Sequence, residues 1–407
     1  MTSLHPASSG VNTPGETEPA VSQEQEQEQR QDEPRNLAQE QEPEAQEPLP
    51  VPLQVDHDLL GEDSGDDRSD ADSAYGSLAG SSRTGSLTSS ITNYVYENGR
   101  RYHAYRSGQY VLPNDEDEQE RLDLQHHIWR LLLRGALYTA PLDIPGPAEG
   151  STSGFSNSGD GGKGNNFRVL DLGCGTGIWA IDMADEHPGA SVFGVDLSPI
   201  QPEWVPGNCR FHVDDYEDAW TYRDDERFDY IHGRALSGTV ADWADFYRQV
   251  RQNLKPGGWC EMQEYDAWIF SDDDSYERAP WTKEWVERID EASRLFGKQI
   301  NVARRHKQWM IDAGFENVEE KVIRIPIGPW VKDPVLKELG RFEQLHMQMS
   351  VASHTPALLT RVFSWTEQQV QLLIEGVRRE FRSKDLRLIT CYRFITGRSP
   401  GPPPATD

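Results

Sequence analysis

Val169-Leu170-Asp171-Leu172-Gly173-Cys174-Gly175-Thr176-Gly177 is the stretch on which the fold turns. A short buried strand, Arg168 to Leu172, ends in three glycines spaced two apart. A helical pattern, Gly177 to His187, opens directly behind it and stops at Pro188-Gly189. A strand that turns through glycines into a helix lets the backbone approach a ligand closely at the carboxyl edge of a sheet. Further strands follow at Ser191–Val195, Cys209–Val213, Phe228–His232 and Trp259–Gln263. Between the last two, Thr239–Leu254 keeps helical spacing through Trp243, Phe246, Tyr247 and Val250. Beyond them come helices near Trp281–Phe296 and Ala303–Ala313, a strand at Val318–Ile325, two more helices and a strand at Leu386–Ile395. This alternation predicts an α/β domain, a mostly parallel, doubly wound sheet with helices on both faces.

Glycine turns at that position serve several nucleotide ligands, so the residues around the loop must choose among them. The dinucleotide fingerprint wants glycine where Ile178 stands, which makes NAD or FAD the poorer fit. No lysine followed by Ser or Thr closes the loop, so phosphate cradling has no support. Asp171, just before the loop, would repel a pyrophosphate and suits a cationic ligand. Asp196 ends the next strand, in Val192-Phe-Gly-Val-Asp196-Leu197-Ser198, where the two hydroxyls of a ribose would lie. S-adenosylmethionine combines a ribose with a sulfonium and an ammonium, and these four details together select it. The expected cofactor contacts are therefore Asp171, Gly173, Cys174, Gly175, Thr176, Gly177, Asp196 and Leu197. Asp214 and Asp215 after the third strand are added for the adenine amino group, with Tyr216 or Trp220 near the ring. His232, at the end of the fourth strand, is added as a cofactor-lining residue, with a packed histidine as the plainer alternative.

Composition bounds the rest. The chain has 407 residues and a formal charge of −28, unevenly spread. Residues 1–90 hold 19 acidic and 4 basic side chains, a balance of −15, which leaves −13 on the remaining 317. An acidic surface repels nucleic-acid phosphates, so direct binding of DNA or RNA is not expected. Arg304-Arg305-His306-Lys307 is the densest basic run and reads as a solvated helix face. Cys174, Cys209, Cys260 and Cys391 have no spacing that suits zinc or a disulfide framework, so no metal is expected. No leader peptide or run of about 18 apolar residues occurs, which predicts a soluble intracellular protein, nuclear or cytoplasmic and not secreted.

The first ninety residues have too few large apolar groups to offset chain entropy and are expected to be a disordered tail. Serines beside acidic residues between Asp56 and Ser90 suit either phosphoregulation or a plain linker. The folded domain is expected to span 91–398: a helical cap at 91–145, a flexible Gly/Ser/Asn-rich loop at 146–166 and a core at 167–398, with a short tail at 399–407. In the cap, Asn114 is read as an N-cap before Asp115, Glu116, Asp117 and Glu118. Leu122, Trp129, Leu133 and Leu137 are read as the apolar face, closed by Pro141 and Pro145.

Val169–Gly177, Val192–Ser198, Phe228–Ala235 and Leu254–Glu261 resemble the successive motifs of class I S-adenosylmethionine-dependent methyltransferases. The block Glu97-Asn-Gly-Arg-Arg-Tyr-His-Ala-Tyr-Arg106, with Tyr110-Val-Leu-Pro-Asn-Asp-Glu116 and Arg121-Leu-Asp-Leu-Gln-His-His127, is narrower. It resembles the fungal TAM-domain, LaeA-like methyltransferases, and the resemblance runs from about Asp72 to Arg398. That resemblance implies a Rossmann-like sheet of seven strands whose last strand is antiparallel. It also implies a role in secondary metabolism or its regulation in the nucleus, with velvet-type regulatory proteins as partners.

Two functions follow as expectations. One is an active methyltransferase on a small molecule or a protein side chain, with tryptophans and tyrosines in 259–285 available to wall an acceptor pocket. The other is a regulatory protein that binds S-adenosylmethionine and acts mainly by assembly with its partners. No catalytic base is identified. His126, His127, His232, Glu264 and Tyr265 are the candidates, each read as structural first.

Overall fold

The computed structural model describes residues 52–56, 94–146 and 167–401. Residues 1–51, 57–93, 147–166 and 402–407 lie outside the described residues, and with them most of the tails expected at 1–90 and 399–407, the serine-rich stretch and all but the first residue of the loop expected at 146–166. Seven strands form one sheet: β3 (Phe167–Leu172), β4 (Ala190–Asp196), β5 (Cys209–Val213), β6 (Phe228–Arg234), β7 (Leu254–Tyr265), β8 (Glu316–Pro326) and β9 (Ile389–Arg398). They follow a small antiparallel hairpin of β1 (Val95–Glu97) and β2 (Arg100–Tyr102). The sheet order is β5-β4-β3-β6-β7-β9-β8. β3 through β7 pair in parallel, and β9 runs antiparallel to both β7 and β8.

From β3 the chain steps outward to β4 and β5, then returns to β6 on the other side of β3. That reversal is a topological switch point, and ligands of open α/β sheets bind in the crevice beyond the carboxyl ends of the strands there. The glycine loop and Asp196 both lie at this edge.

The helices are α1 (Glu116–Leu132), α2 (Ile178–Glu186), α3 (Trp243–Asn253), α4 (Pro280–Phe296), α5 (His306–Asp312), α6 (Pro334–Phe363) and α7 (Glu367–Phe381). One core cluster joins the inner strands to α3 through Leu170, Leu172, Ile231, Phe246 and Tyr247. A second joins α4, α6 and α7 through Val286, Ile289, Val351, Leu373 and Val377. Burying such side chains contributes roughly 1.5–3 kcal/mol each. Among the described residues no helix is long and apolar enough to cross a membrane.

Three expectations about the first helix are corrected. The N-cap of α1 is Asp115, whose carboxylate accepts from the Glu118 N–H, while Asn114 turns inward and donates to Ser198 Oγ at 3.1 Å. The helix ends at Leu132, so Leu137 packs from an extended segment beyond it. The face turned inward from α1 is half polar: Glu118, Arg121 and Gln125 are buried with Ile128, Trp129 and Leu132. Apolar periodicity alone cannot find a buried face made of charges.

The expected tail also included 52–56, and these residues pack against the domain. Val55 bridges Val331, the Asp56 N–H donates to the Trp330 carbonyl at 2.8 Å, and the Lys332 N–H donates to the Gln54 carbonyl at 2.9 Å. Lys337 pairs with Asp56. Leu53 and Val55 cover Trp330, Val331 and Ile389. The basic run is not one solvated face either. His306 is fully buried against Trp243, and Arg304 pairs with Asp266.

Candidate cofactor site

The cleft at the switch point is floored by the glycine loop. Gly173 has φ +62°, and a Cβ there would lie 2.6 Å from Leu236 Cδ2, so glycine brings bare backbone to the floor. Asp171, Gly173, Cys174, Gly175, Thr176, Asp196, Leu197 and Asp215 line the cleft together, as expected from their spacing. Gly177, Asp214 and His232 do not. Gly177 is the left-handed N-cap of α2, and a Cβ on it would strike the Phe211 ring at 2.5 Å. Asp214 is exposed and accepts from the Asp215 N–H at 2.9 Å. His232 is fully buried behind Asp171, stacked on Trp179 with ring centroids 3.7 Å apart. It belongs to the scaffold that holds the cleft.

Asp196 is the best-defined anchor. Its Oδ2 accepts from the Gly175 N–H and its Oδ1 from the Ser198 N–H, each at 2.8 Å. One carboxylate therefore ties the glycine loop to the turn after β4. Burial pushes its pKa up from 3.8 to about 6, against the lowering effect of those two N–H groups. Asp215 sits at the third strand end with its Oδ1 accepting from the Glu217 N–H at 3.0 Å, and Arg106 reaches its Oδ2 at 3.4 Å.

The roof comes from the segment before the core, which spacing did not assign to the site. Tyr110, Leu112, Pro113 and Asn114, with Glu118, Arg121, Leu122 and Gln125 of α1, face the loop. Tyr265, Lys298 and Arg234 complete the lining. Arg121 binds Glu118 through its Nε at 3.0 Å and Nη2 at 2.7 Å, and its Nη1 lies 3.0 Å from His346 Nε2. The Tyr265 hydroxyl meets His354 Nε2 at 3.2 Å, and His354 Nδ1 faces the Ser350 carbonyl at 2.8 Å. His354 therefore carries its proton on Nδ1 and accepts from Tyr265.

The remaining base candidates are committed elsewhere. Glu264 is fully buried and accepts from the Leu236 N–H at 2.8 Å and the Ser237 hydroxyl at 2.9 Å. Burial raises its pKa to about 7. His126 lies between Asp182 and Arg234, and His127 is an exposed ring edge-on to Phe342. Only Tyr265 of the five lines the cleft.

The donor set suits a nucleoside with a positively charged tail. Carboxylates stand at or just beyond the ends of three successive strands, at Asp171, Asp196 and Asp215, and the glycine loop itself carries no lysine or arginine. A seven-stranded sheet with β9 antiparallel and this crevice defines a class I methyltransferase. Residues 124–320 match a family described as a methyltransferase domain. The chain is 37% identical over 308 residues to Methyltransferase pytC of Aspergillus terreus, covering 75% of this chain and 88% of that one. It is 38% identical over 312 residues to the secondary metabolism regulator LAE1 of Cochliobolus heterostrophus, covering 76% and 95%. Among solved structures, a Haemonchus contortus phosphoethanolamine N-methyltransferase 2 in complex with S-adenosyl-L-methionine is 19% identical, with a TM-score of 0.36 over 59% of this chain and 50% of that one. The chain belongs to the LaeA-like class I methyltransferases, whose methyl donor is S-adenosylmethionine.

Proposed function

We propose that this cleft holds S-adenosylmethionine and that the protein transfers its methyl group to an acceptor at the Tyr110–Tyr265 end, within the synthesis or control of fungal secondary metabolites. The observation that carries the reading is Asp196. It lines the cleft while clamping the Gly175 and Ser198 amides, so a ribose would meet an oriented acceptor rather than a free side chain. Asp171 would face the cationic tail and Asp215 the adenine. Bound there, the cofactor supplies an electrophilic methyl on a sulfonium.

The chain's own contribution is alignment and enclosure. The sheet edge and glycine loop fix the donor side, and Tyr110, Leu112 and α1 cover it against water. Tyr265 is the one hydroxyl among the base candidates that reaches the cleft, and its proton is already directed to His354. The acceptor is a small molecule or a side chain able to enter beneath α1. The names of relatives such as LAE1 support placing the reaction in secondary metabolism, in the nucleus or cytoplasm, and velvet-type partners belong to that same reading.

The test pairs binding with phenotype. Calorimetry should show S-adenosylmethionine binding to the wild type and loss of it in Asp196→Ala. Metabolite profiles of a strain carrying that variant should match the deletion strain. A variant strain with the wild-type profile would leave assembly, not methyl transfer, as the function.

A further inference from the structure

A narrow cavity lies beyond one wall of the cleft, between α4 and α6. Tyr265 lines both, so its side chain stands between the two spaces. A second small space adjoins the cleft at Tyr110, Leu112, Thr239 and Lys298, and it meets the first at Ile300 and His354. The path therefore leads from the cleft, past Tyr110 and Tyr265, into the layer of helices. Its inner walls are apolar and buried: Ile269, Trp285, Val286, Ile289, Ile300 and Met347. The polar groups among them are taken. The Trp285 N–H donates to the Thr355 hydroxyl at 2.9 Å. Asp266 accepts from Arg393 Nε at 2.7 Å and from Arg304 Nη2 at 3.1 Å. Ser350 Oγ lies 3.2 Å from His346 Nε2.

The mouth of the cavity offers an acceptor. His354 donates from Nδ1 to the Ser350 carbonyl, which leaves Nε2 to accept the Tyr265 O–H. Burial lowers the His354 pKa to about 4, so the ring stays neutral and keeps this arrangement at neutral pH. With its own proton directed to His354, the Tyr265 oxygen can still accept a hydrogen bond from a ligand. A protic group held there has the cleft on one side and the apolar cavity on the other. That order separates two kinds of acceptor. In a protein side chain the reactive atom is the tip, and the backbone and all bulk lie on the solvent side, so nothing is left to fill a space beyond it. A small molecule can carry its bulk beyond its reactive group, and burying that carbon contributes to binding.

We propose that the methyl acceptor is a small molecule with a slender apolar body, which occupies the cavity between α4 and α6 and donates a hydroxyl to the Tyr265 oxygen. This rests on the reading of the cleft as the S-adenosylmethionine site, and it chooses between the two acceptor classes which that reading leaves open. A narrow bore walled by branched aliphatic side chains suits an alkyl chain better than a fused ring system. Met347, unbranched and flexible, can give way to a longer chain.

The experiment is calorimetry on the full chain saturated with S-adenosylhomocysteine and titrated with straight-chain primary alkanols from butanol to decanol. Affinity should rise about 4-fold per methylene until the cavity is filled, and then level off. Ala267→Leu, which adds carbon to the cavity wall, should weaken octanol by roughly 10-fold or more. Met347→Ala, which removes volume from the wall, should move the plateau to longer chains, a gain that misfolding cannot produce. A strain carrying Ala267→Leu should reproduce the metabolite profile of the Asp196→Ala strain, although the purified variant still binds S-adenosylmethionine. A flat alkanol series in the wild type would make the cavity a packing void only and overturn the proposal. So would an unchanged plateau in Met347→Ala. A wild-type metabolite profile from the Ala267→Leu strain would return the acceptor to a side chain that enters from solvent. Failure of the wild type to bind S-adenosylmethionine would instead remove the donor site on which the proposal rests.

Discussion

Asp171 on β3 and His232 on β6 are register partners in the parallel sheet, and Asp171 Oδ1 lies 2.7 Å from His232 Nδ1 with both side chains buried. The histidine donates to the carboxylate, and the Trp179 ring beneath it fixes its plane. The carboxylate is thereby aimed from the edge of the sheet into the cleft that it lines. Replacing His232 with Leu should leave Asp171 without this partner. We expect a loss of about 1.5–3 kcal/mol in unfolding free energy, the scale for a hydrogen bond to a charged group. Urea denaturation measures it, and a shift within error would return His232 to a packing role alone.

The pH dependence of cofactor binding follows from Asp196. Its pKa in the folded chain is raised by burial from 3.8 to about 6. Only the ionised form offers all its lone pairs to ribose hydroxyls. Affinity should therefore fall as pH drops through 6, by up to about tenfold per unit below it. The apo chain should show the opposite trend in stability from this group. A raised folded pKa favours the protonated carboxyl, so its contribution is present at low pH and lost as pH rises from 3.8 to about 6. Calorimetry between pH 5 and 8 should show the rise in affinity, and Asp196→Asn should flatten it.

The Glu118–Arg121 pair beneath α1 is nearly water-free, with both side chains at 3% exposure or less. Removing one partner of such a pair strands the other charge, at a cost of about 3–5 kcal/mol. Glu118→Gln should lower the denaturation midpoint accordingly. The double replacement Glu118→Leu with Arg121→Met should recover much of the loss, because neither charge is then buried alone. A single variant as stable as wild type would mean that water reaches the pair in solution.

The short segment 52–56 should protect the start of α6. The Lys332 amide is held by the Gln54 carbonyl, and Val55 covers Val331. Val55→Asp should raise hydrogen exchange at Lys332 while leaving amides of β3 and β6 unchanged. Equal exchange in both proteins would show that the segment does not guard this edge.

How much of the molecule could be read ahead of its structure differs between floor and roof. The floor was readable because its signals are local: glycines at fixed spacing, then single carboxylates at strand ends, each tied to a backbone conformation. Asp196 and the loop meet as their positions on β3 and β4 require. The roof was not readable. Tyr110, Glu118, Arg121 and Gln125 reach the cleft because α1 and the segment leading into it cross it, a tertiary fact with no spacing signature. The polar face of α1 reads as solvent-facing until its partners on other elements are known. His232 shows the limit from the other side. It stands on the right strand at the right end, but its ring points to Trp179 and Asp171, and whether a side chain lines a cavity or supports its wall depends on such contacts. Residues 52–56 were hidden because five residues between polar runs carry too little apolar area to stand out.

Titration of S-adenosylmethionine into the wild type and into Asp196→Ala tests the central claim most directly. One binding event per chain is expected for the wild type. The variant should bind at least roughly 100-fold more weakly, since it loses the oriented acceptor for both ribose hydroxyls. No binding heat with millimolar ligand in the wild type, or equal affinity in the variant, would contradict the assignment of this cleft to the methyl donor.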